Sequence, residues 1–242
     1  MELKGHSDVV TRCCWSPTHA ELLSTCSNDK SVKLWDTRSG KNPTTWKGNG
    51  QLLNLAWSPN GQFLCLSHSF QKDLITFYDI RTNKVFKSLQ MQVEINEMAF
   101  DKSNEHFLIS AQDGNVKILN FPEIGVEDRT SRFKATGGQC FCIEFDPSGK
   151  HFATGGADAM VGLWDASELV CIRTFSRLDS SIRTLSFSHD GQFIAYASED
   201  PFVDIVRTHC EQTLIHAAFL SNGVTLTSVS WNPKNHLLAI GG

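Results

Sequence analysis

The sequence has no Cys-x-x-Cys pair, no His-x-x-x-His pair and no Gly-x-Ser-x-Gly, and Gly149-Lys150 lacks the glycine run of a phosphate loop. Those absences remove the usual spacings of zinc sites, thioredoxin-type redox centres, serine hydrolases and nucleotide cradles. No apolar run approaches the ~18 residues of a membrane span. The opening Met-Glu-Leu-Lys-Gly-His has no apolar h-region, so no signal peptide is expected. The triplet Asn42-Pro43-Thr44 is blocked as a glycosylation acceptor by its proline. Basic charge is not in excess either: 22 Lys and Arg against 26 Asp and Glu leave a net charge of −4. A protein that grips nucleic acid through its own surface carries a basic patch instead. These features predict a soluble, intracellular chain without a membrane partner.

What the 242 residues do contain is enough apolar material, 40%, for a sizeable core. Eight cysteines are scattered at 13, 14, 26, 65, 140, 142, 171 and 210. They are expected to be reduced thiols, with Cys13-Cys14 and Cys140-Phe141-Cys142 acting as small buried hydrophobes.

Self-similarity organises everything else. An aromatic landmark recurs at Trp15, Trp57, Phe100, Phe145, Phe187 and Trp231, at successive spacings of 42, 43, 45, 42 and 44 residues. About twenty residues later comes a second landmark: Trp35-Asp36, Tyr78-Asp79, Leu119-Asn120, Trp164-Asp165 and Ile205-Val206. An Asp stands six positions before the Trp-like site at Asp29, Asp113, Asp158 and Asp200, while the second unit has Lys72 there and Asp73 one residue late. Each unit reads as four short strands, in the first unit Val9–Trp15, Leu22–Ser27, Ser31–Asp36 and Asn42–Lys47. Turn chemistry such as Ser-Pro-Asn60-Gly61 and His189-Asp190-Gly191 separates them. No stretch sustains a helical period over three turns. A four-stranded sheet cannot bury both faces alone, so such sheets stack around an axis as a propeller.

The predicted fold class is therefore all-β, a β-propeller of four-stranded antiparallel blades in a single domain over 1–242. Its repeats fall near 1–47, 48–90, 91–134, 135–176 and 177–216, with a partial unit at 217–242 whose strands are expected at Thr225–Trp231 and Leu237–Ile240. Glu2-Leu3-Lys4 is expected as the outer strand of a preceding unit. Two closures fit: six blades with the last one short of a strand, or a seven-blade ring of which the chain is a fragment carrying five complete repeats and partial terminal blades. The break in mid-blade at Ile240-Gly241-Gly242 favours the fragment.

Gly5-His6, nine residues before Trp15, followed by Asp29 and Leu34-Trp35-Asp36, resembles a WD40 repeat; Asp158 with Leu163-Trp164-Asp165 repeats its second half. The resemblance implies that His6, Asp29, Trp35, Asp158 and Trp164 belong to a structural His–Asp–Trp hydrogen-bond network, and not to a catalytic site. Thr136 and Leu178 stand where His6 would be, and Leu119 and Val206 where Trp35 would be, so those blades are expected to rely on apolar packing. More specifically, Phe152–Leu178, Ile182–Gly191, Ala197–Ile205, Val93–Glu97 with Gly114-Asn115-Val116, and the ending from Trp231 to Ala239 resemble the THO complex subunit 3 family. That resemblance implies a non-catalytic nuclear scaffold in the THO/TREX assembly, which couples transcription to packaging and export of messenger RNA. It implies other THO/TREX subunits as partners, with RNA touched only indirectly or weakly.

On a propeller, positions four and six residues before the first landmark, and the residue before the repeat Asp, share one face. Here they are Val9, Thr11, Asn28, Gln51, Leu53, Glu94, Asn96, Gln112, Gln139, Phe141, Ser181, Arg183 and Glu199. Thr11, Asn28, Asn96, Gln112, Gln139, Phe141, Arg183 and Glu199 are the candidate partner contacts. Exposed aromatic and Arg side chains are the common interface anchors. Phe141 could equally pack between blades, and Arg183 could pair with a nearby carboxylate. Arg173, Arg177 and Arg183 form either a partner surface or a solvated face. A competing role is a peptide-binding receptor, such as a ubiquitin-ligase adaptor or a histone-tail reader. Catalysis is not expected, and no cofactor, metal or small-molecule substrate is anticipated, because the nine histidines are scattered.

Overall fold

The turns explain why the strands lie where they do. In Ser58–Phe63 the Ser58 hydroxyl donates to Asn60 Oδ1 (2.7 Å) and accepts from the Phe63 N–H (2.8 Å), which closes the loop on itself. Ser188 does the same with Asp190 (2.6 Å) and Phe193 (2.9 Å). Gly61, Gly149 and Gly191 take φ of 68°, 74° and 70° at the same place in the corresponding turns of the second, fourth and fifth sheets, a region open to glycine because it has no Cβ.

The computed structural model describes residues 2–48, 50–68, 74–124, 131–210, 213–218 and 226–242. Among them every regular element is a strand. The first sheet runs β1 (Val10–Trp15), β2 (Leu22–Ser27), β3 (Ser31–Asp36), β4 (Lys41–Lys47), and the second β5 (Leu52–Trp57), β6 (Phe63–His68), β7 (Leu74–Asp79), β8 (Lys84–Gln90). The third comprises β9 (Ile95–Phe100), β10 (His106–Ala111), β11 (Asn115–Asn120) and β12 (Ser131–Lys134). The fourth has β13 (Cys140–Phe145), β14 (His151–Gly156), β15 (Val161–Asp165), β16 (Cys171–Phe175). The fifth has β17 (Ile182–Phe187), β18 (Phe193–Ser198), β19 (Phe202–Arg207), β20 (Thr213–Ala218), and a two-stranded sheet pairs β21 (Ser228–Trp231) with β22 (Leu238–Gly241). In each sheet the strands follow chain order, the meander that short turns enforce. The first unit's strands fall within one residue of their sequence-predicted limits. Lys72, Asp73 and Thr225 lie outside the described residues, and Glu2-Leu3-Lys4 pairs with no strand among the described residues, so it gains no ladder bonds.

Contacts divide the chain into two units, Met1–Phe107 with Asn120–Asp128, and Leu108–Leu119 with Arg129–Gly242. In the first, β1 packs beside β5, and Cys26, Val32, Leu34, Leu52, Leu55 and Leu66 fill the space between those sheets. Trp46 stacks on Tyr78 at 4.6 Å between ring centroids. Phe77, Phe100, Phe107 and Phe121 meet edge-on or tilted at 4.7–6.3 Å, the geometry that aromatic quadrupoles prefer. In the second unit β13 lies beside β17 and β17 beside β21. Val161, Leu163, Ile182, Leu185, Ile194 and Val206 form one buried seam, and Ala195, Ala197, Val203, Leu226 and Val229 the next. Each such Leu or Ile contributes about 1.5–3 kcal/mol when fully buried.

All eight cysteines are free. Cys140 and Cys142 are buried as expected, but Cys13 is exposed and Cys14 only half-buried. Successive strand residues point to opposite faces; Cys14 faces the seam with the second sheet, and Cys13 shares the uncovered face with Trp15, 57% exposed.

Candidate functional site

Two constellations stand out. The first is polar and enclosed. His6 Nδ1 bonds Asp29 Oδ2 at 2.8 Å, and His6 Nε2 meets Thr25 Oγ1 at 2.8 Å. The indole N–H of Trp35, 2% exposed, donates to the same Thr25 oxygen at 2.8 Å. One tautomer satisfies every group: Trp35 donates to Thr25, Thr25 donates to His6 Nε2, and His6 Nδ1–H donates to Asp29. Asp29 also accepts from Ser31 Oγ (2.6 Å), the Ser31 N–H (2.9 Å) and the Ser7 N–H (3.0 Å). Burial pushes the Asp29 carboxyl up, but the donors from Ser31, His6 and Ser7 outweigh it and hold the group well below the usual carboxylate range.

Thr25 is the member the sequence did not single out. It precedes Trp35 by ten residues, diagonally across the β2–β3 ladder in which Thr25 pairs with Lys33 and Trp35 with Leu23, and the same spacing recurs where Trp164 donates to Thr154 at 2.9 Å. With Thr136 in the histidine's place, the fourth sheet's network is split. Asp158 accepts from the Gly137 N–H (2.6 Å), Thr136 turns to the Gly138 carbonyl (2.8 Å), and Trp164–Thr154 stands alone. In the third sheet the corresponding pair is Ile109 and Leu119, both buried, which is apolar packing. The fifth sheet departs from that expectation. Val206 is buried, but ten residues before it Tyr196 donates to its own cross-strand partner Asp204, which is fully buried and 3.7 Å from Arg177 Nε. Burial, then that bond to Asp204, raises the Tyr196 hydroxyl far above the ordinary phenol value.

The second constellation is open. In four sheets the first strand carries one residue with no opposite partner: Thr11, Leu53, Phe141 and Arg183. These are β-bulges, and they fall on the positions four residues before the landmark. Because first strands of consecutive sheets lie side by side within each unit, one bulge reaches the next. Thr11 donates to the Leu52 carbonyl (2.7 Å), and Asn54 Nδ2 donates to the Asn96 carbonyl. The Arg183 guanidinium lies over the Phe141 ring at 4.2 Å and donates twice to Glu199 Oε1, at 2.6 Å from Nη2 and 3.1 Å from Nε. Both alternatives weighed for Phe141 and Arg183 are thus realised together, since the ring is half-buried between sheets and carries the paired Arg on its face.

Arg183 and Glu199 remain 40% and 52% exposed. An exposed cation–π contact contributes about 0.5–1 kcal/mol and an exposed ion pair about 0–1, so the patch is aligned but cheap to rearrange. Among the other candidates, Gln139 is half-buried with its carbonyl accepting the Ala157 N–H (2.8 Å), Asn28 donates its N–H to Val9 (3.0 Å), and Gln112 is exposed. Of the three arginines, Arg177 faces Asp204, Arg183 faces Glu199, and Arg173 Nη1 is buried.

Comparison with known proteins follows the same lines. The family "WD domain, G-beta repeat" matches residues 1–36 and 169–203, and the family "Eukaryotic translation initiation factor eIF2A" matches residues 27–160. The chain is 38% identical over 242 residues to THO complex subunit 3 of Arabidopsis thaliana, covering 100% of this chain and 74% of that protein. It is 32% identical over 243 residues to WD repeat-containing protein AAC3 of Dictyostelium discoideum, covering 99% of this chain and 49% of that one. It is 27% identical over 241 residues to a WD repeat-containing protein WDS homolog of Arabidopsis thaliana, covering 96% and 45%.

Proposed function

The chain belongs to the THO complex subunit 3 family of WD-repeat proteins, and from that premise we propose that it is a non-catalytic scaffold subunit of a nuclear THO/TREX assembly. The observation that carries this reading is the likeness to THO complex subunit 3 across all 242 residues, whereas the translation-factor match stops at residue 160. In such an assembly the protein holds other subunits together and so contributes to coupling transcription with packaging and export of messenger RNA. The physical features support this. Its most ordered polar groups satisfy one another inside a sheet, and its exposed polar groups at the bulges are arranged for contact.

In the second unit the proposed contact runs through Phe141, Arg183 and Glu199, flanked by Gln112 and Gln139; in the first unit the corresponding residues are Thr11, Asn28 and Asn96. A partner carboxylate that replaces Glu199 on Arg183 would find the guanidinium already oriented by the Phe141 ring. An acidic chain favours contact with RNA through neighbouring subunits over its own phosphate contacts.

Affinity purification from nuclear extract tests the proposal, with the wild-type chain and the Arg183→Glu variant compared side by side. THO subunits are expected with the wild type and reduced with Arg183→Glu, while the variant still melts cooperatively at a temperature lowered by only a few degrees. Recovery of ubiquitin-ligase adaptors or histone tails in their place would support the peptide-receptor role instead. Failure of the wild-type chain to retain any THO subunit overturns the reading.

A further inference from the structure

Three metal-ligating side chains meet outside both constellations, where the β17–β18 turn of the fifth sheet touches the β21–β22 turn of the two-stranded sheet. His189 and Asp190 come from the first turn, His236 from the second. One ligand atom from each lies within 4.8 Å of the others. The two imidazole rings are 4.6 Å apart between centroids, and His236 Nε2 is 3.0 Å from Asp190 Oδ2.

The carboxylate is oriented by its own turn. Its Oδ1 accepts from Ser188 Oγ (2.6 Å) and the Gln192 N–H (3.1 Å), which leaves Oδ2 turned toward the histidines. His189 Nδ1 is buried and has no hydrogen-bond partner among the described residues, which is costly for an imidazole nitrogen unless something else occupies it. The rings of Phe193 and Trp231 wall one side, at 5.3 Å and 6.2 Å from His236.

We propose that His189, Asp190 and His236 form a binding site for a single zinc-class divalent ion that clasps the two turns together. Two neutral imidazoles and one carboxylate are a ligand set that suits zinc. Bonds of ~2.0 Å in a tetrahedral arrangement place ligand atoms ~3.3 Å apart, so the turns need to close only slightly. On coordination His236 carries its N–H on Nδ1 and gives Nε2 to the metal, and Asp190 exchanges a hydrogen bond for a metal bond. The fourth position opens to solvent, since His236 is 48% exposed. Without metal, the His236–Asp190 bond and the tilted and edge-on ring contacts join the two turns.

The test uses the metal-stripped full chain, titrated with Zn²⁺ by calorimetry and with Co²⁺ by visible absorption. One equivalent of Zn²⁺ is expected, with a raised melting temperature. The Co²⁺ spectrum should show tetrahedral bands without a thiolate charge-transfer band, which excludes the exposed Cys13, Cys171 and Cys210 as ligands. His236→Ala and His189→Ala should each weaken binding at least about tenfold, as loss of a ligating or supporting group does. His189→Ala removes no hydrogen bond to Nδ1, so it keeps the comparison interpretable if His236→Ala does not fold. Absence of stoichiometric binding, a thiolate spectrum, or an affinity unchanged in His189→Ala overturns the proposal.

Discussion

Replacing Thr25 by Val removes a single hydroxyl from the enclosed network while keeping shape and β-branching. That hydroxyl serves two clients at once, the Trp35 indole N–H and His6 Nε2, both at 2.8 Å. Trp35 is 2% exposed and the His6 side chain 7%, so water cannot take over either bond. Leaving a buried donor or acceptor unpaired costs about 1–3 kcal/mol per group, which predicts a loss of about 2–6 kcal/mol for Thr25→Val. The fourth sheet supplies an internal control. Among the described residues Thr154 serves Trp164 alone, with Thr136 in the place of His6, so Thr154→Val should cost about half as much, about 1–3 kcal/mol. Native-state hydrogen exchange is the suitable assay because it reads each sheet locally and does not require the chain to unfold in one step. The indole N–H protons of Trp35 and Trp164 report the two sites directly. Equal losses for the two variants, or a Thr25→Val loss below about 0.5 kcal/mol, would refute the argument that a shared hydroxyl holds the first sheet's turns to its third strand.

Three further expectations follow from the same geometry. The Asp29 carboxyl has a folded pKa below its ordinary value near 3.9, so its contribution is complete above about pH 4 and is lost as the pH falls through the lower folded value. Asp29→Asn should therefore be less stable than wild type at pH 6 and converge on it toward pH 2, as melting temperatures across that range will show. At Gly155 an added Cβ would lie 2.5 Å from Ile182 Cγ2 and 2.8 Å from Cys142 Sγ, so Gly155→Ala should destabilise by about 1–3 kcal/mol in urea denaturation. The isolated chain should bind single-stranded RNA weakly and lose that binding steeply with added salt in fluorescence anisotropy; low-nanomolar affinity at physiological salt would contradict the indirect role proposed for RNA.

The strand plan was legible because its cues are local. A Ser with a side-chain acceptor two residues later, or an Asp with a Ser donor there, followed by glycine makes a turn that needs no tertiary help, and six aromatic landmarks at near-constant spacing fix the units between turns. Which face of a strand is covered is not local, and Cys13 shows the consequence: the apolar run containing it reads as buried, yet only the face bearing Cys14 has a neighbour among the described residues. Spacing brings His6, Asp29 and Trp35 into view, but a threonine inside a strand looks like ordinary β-propensity, and only the ten-residue offset shared by Thr25–Trp35 and Thr154–Trp164 could have revealed the link. The positions four before the landmark were also readable, though not the bulge that sets them apart, nor that residues 42 apart, Phe141 and Arg183, would stack. The His189–Asp190–His236 group was invisible for a related reason. His189-Asp190 passes for turn chemistry, and His236 lies 46 residues beyond Asp190.

The extra residue in four of the first strands has an evolutionary consequence. A residue with no opposite partner can change its side chain without disturbing the register on either side of it. Thr11, Leu53, Phe141 and Arg183 already show the range: hydroxyl, aliphatic, aromatic and cation occupy one equivalent backbone slot within a single chain. Such slots let binding preference drift by single codon changes while the supporting lattice stays fixed, so molecules with this architecture can acquire new associates faster than they acquire new shapes.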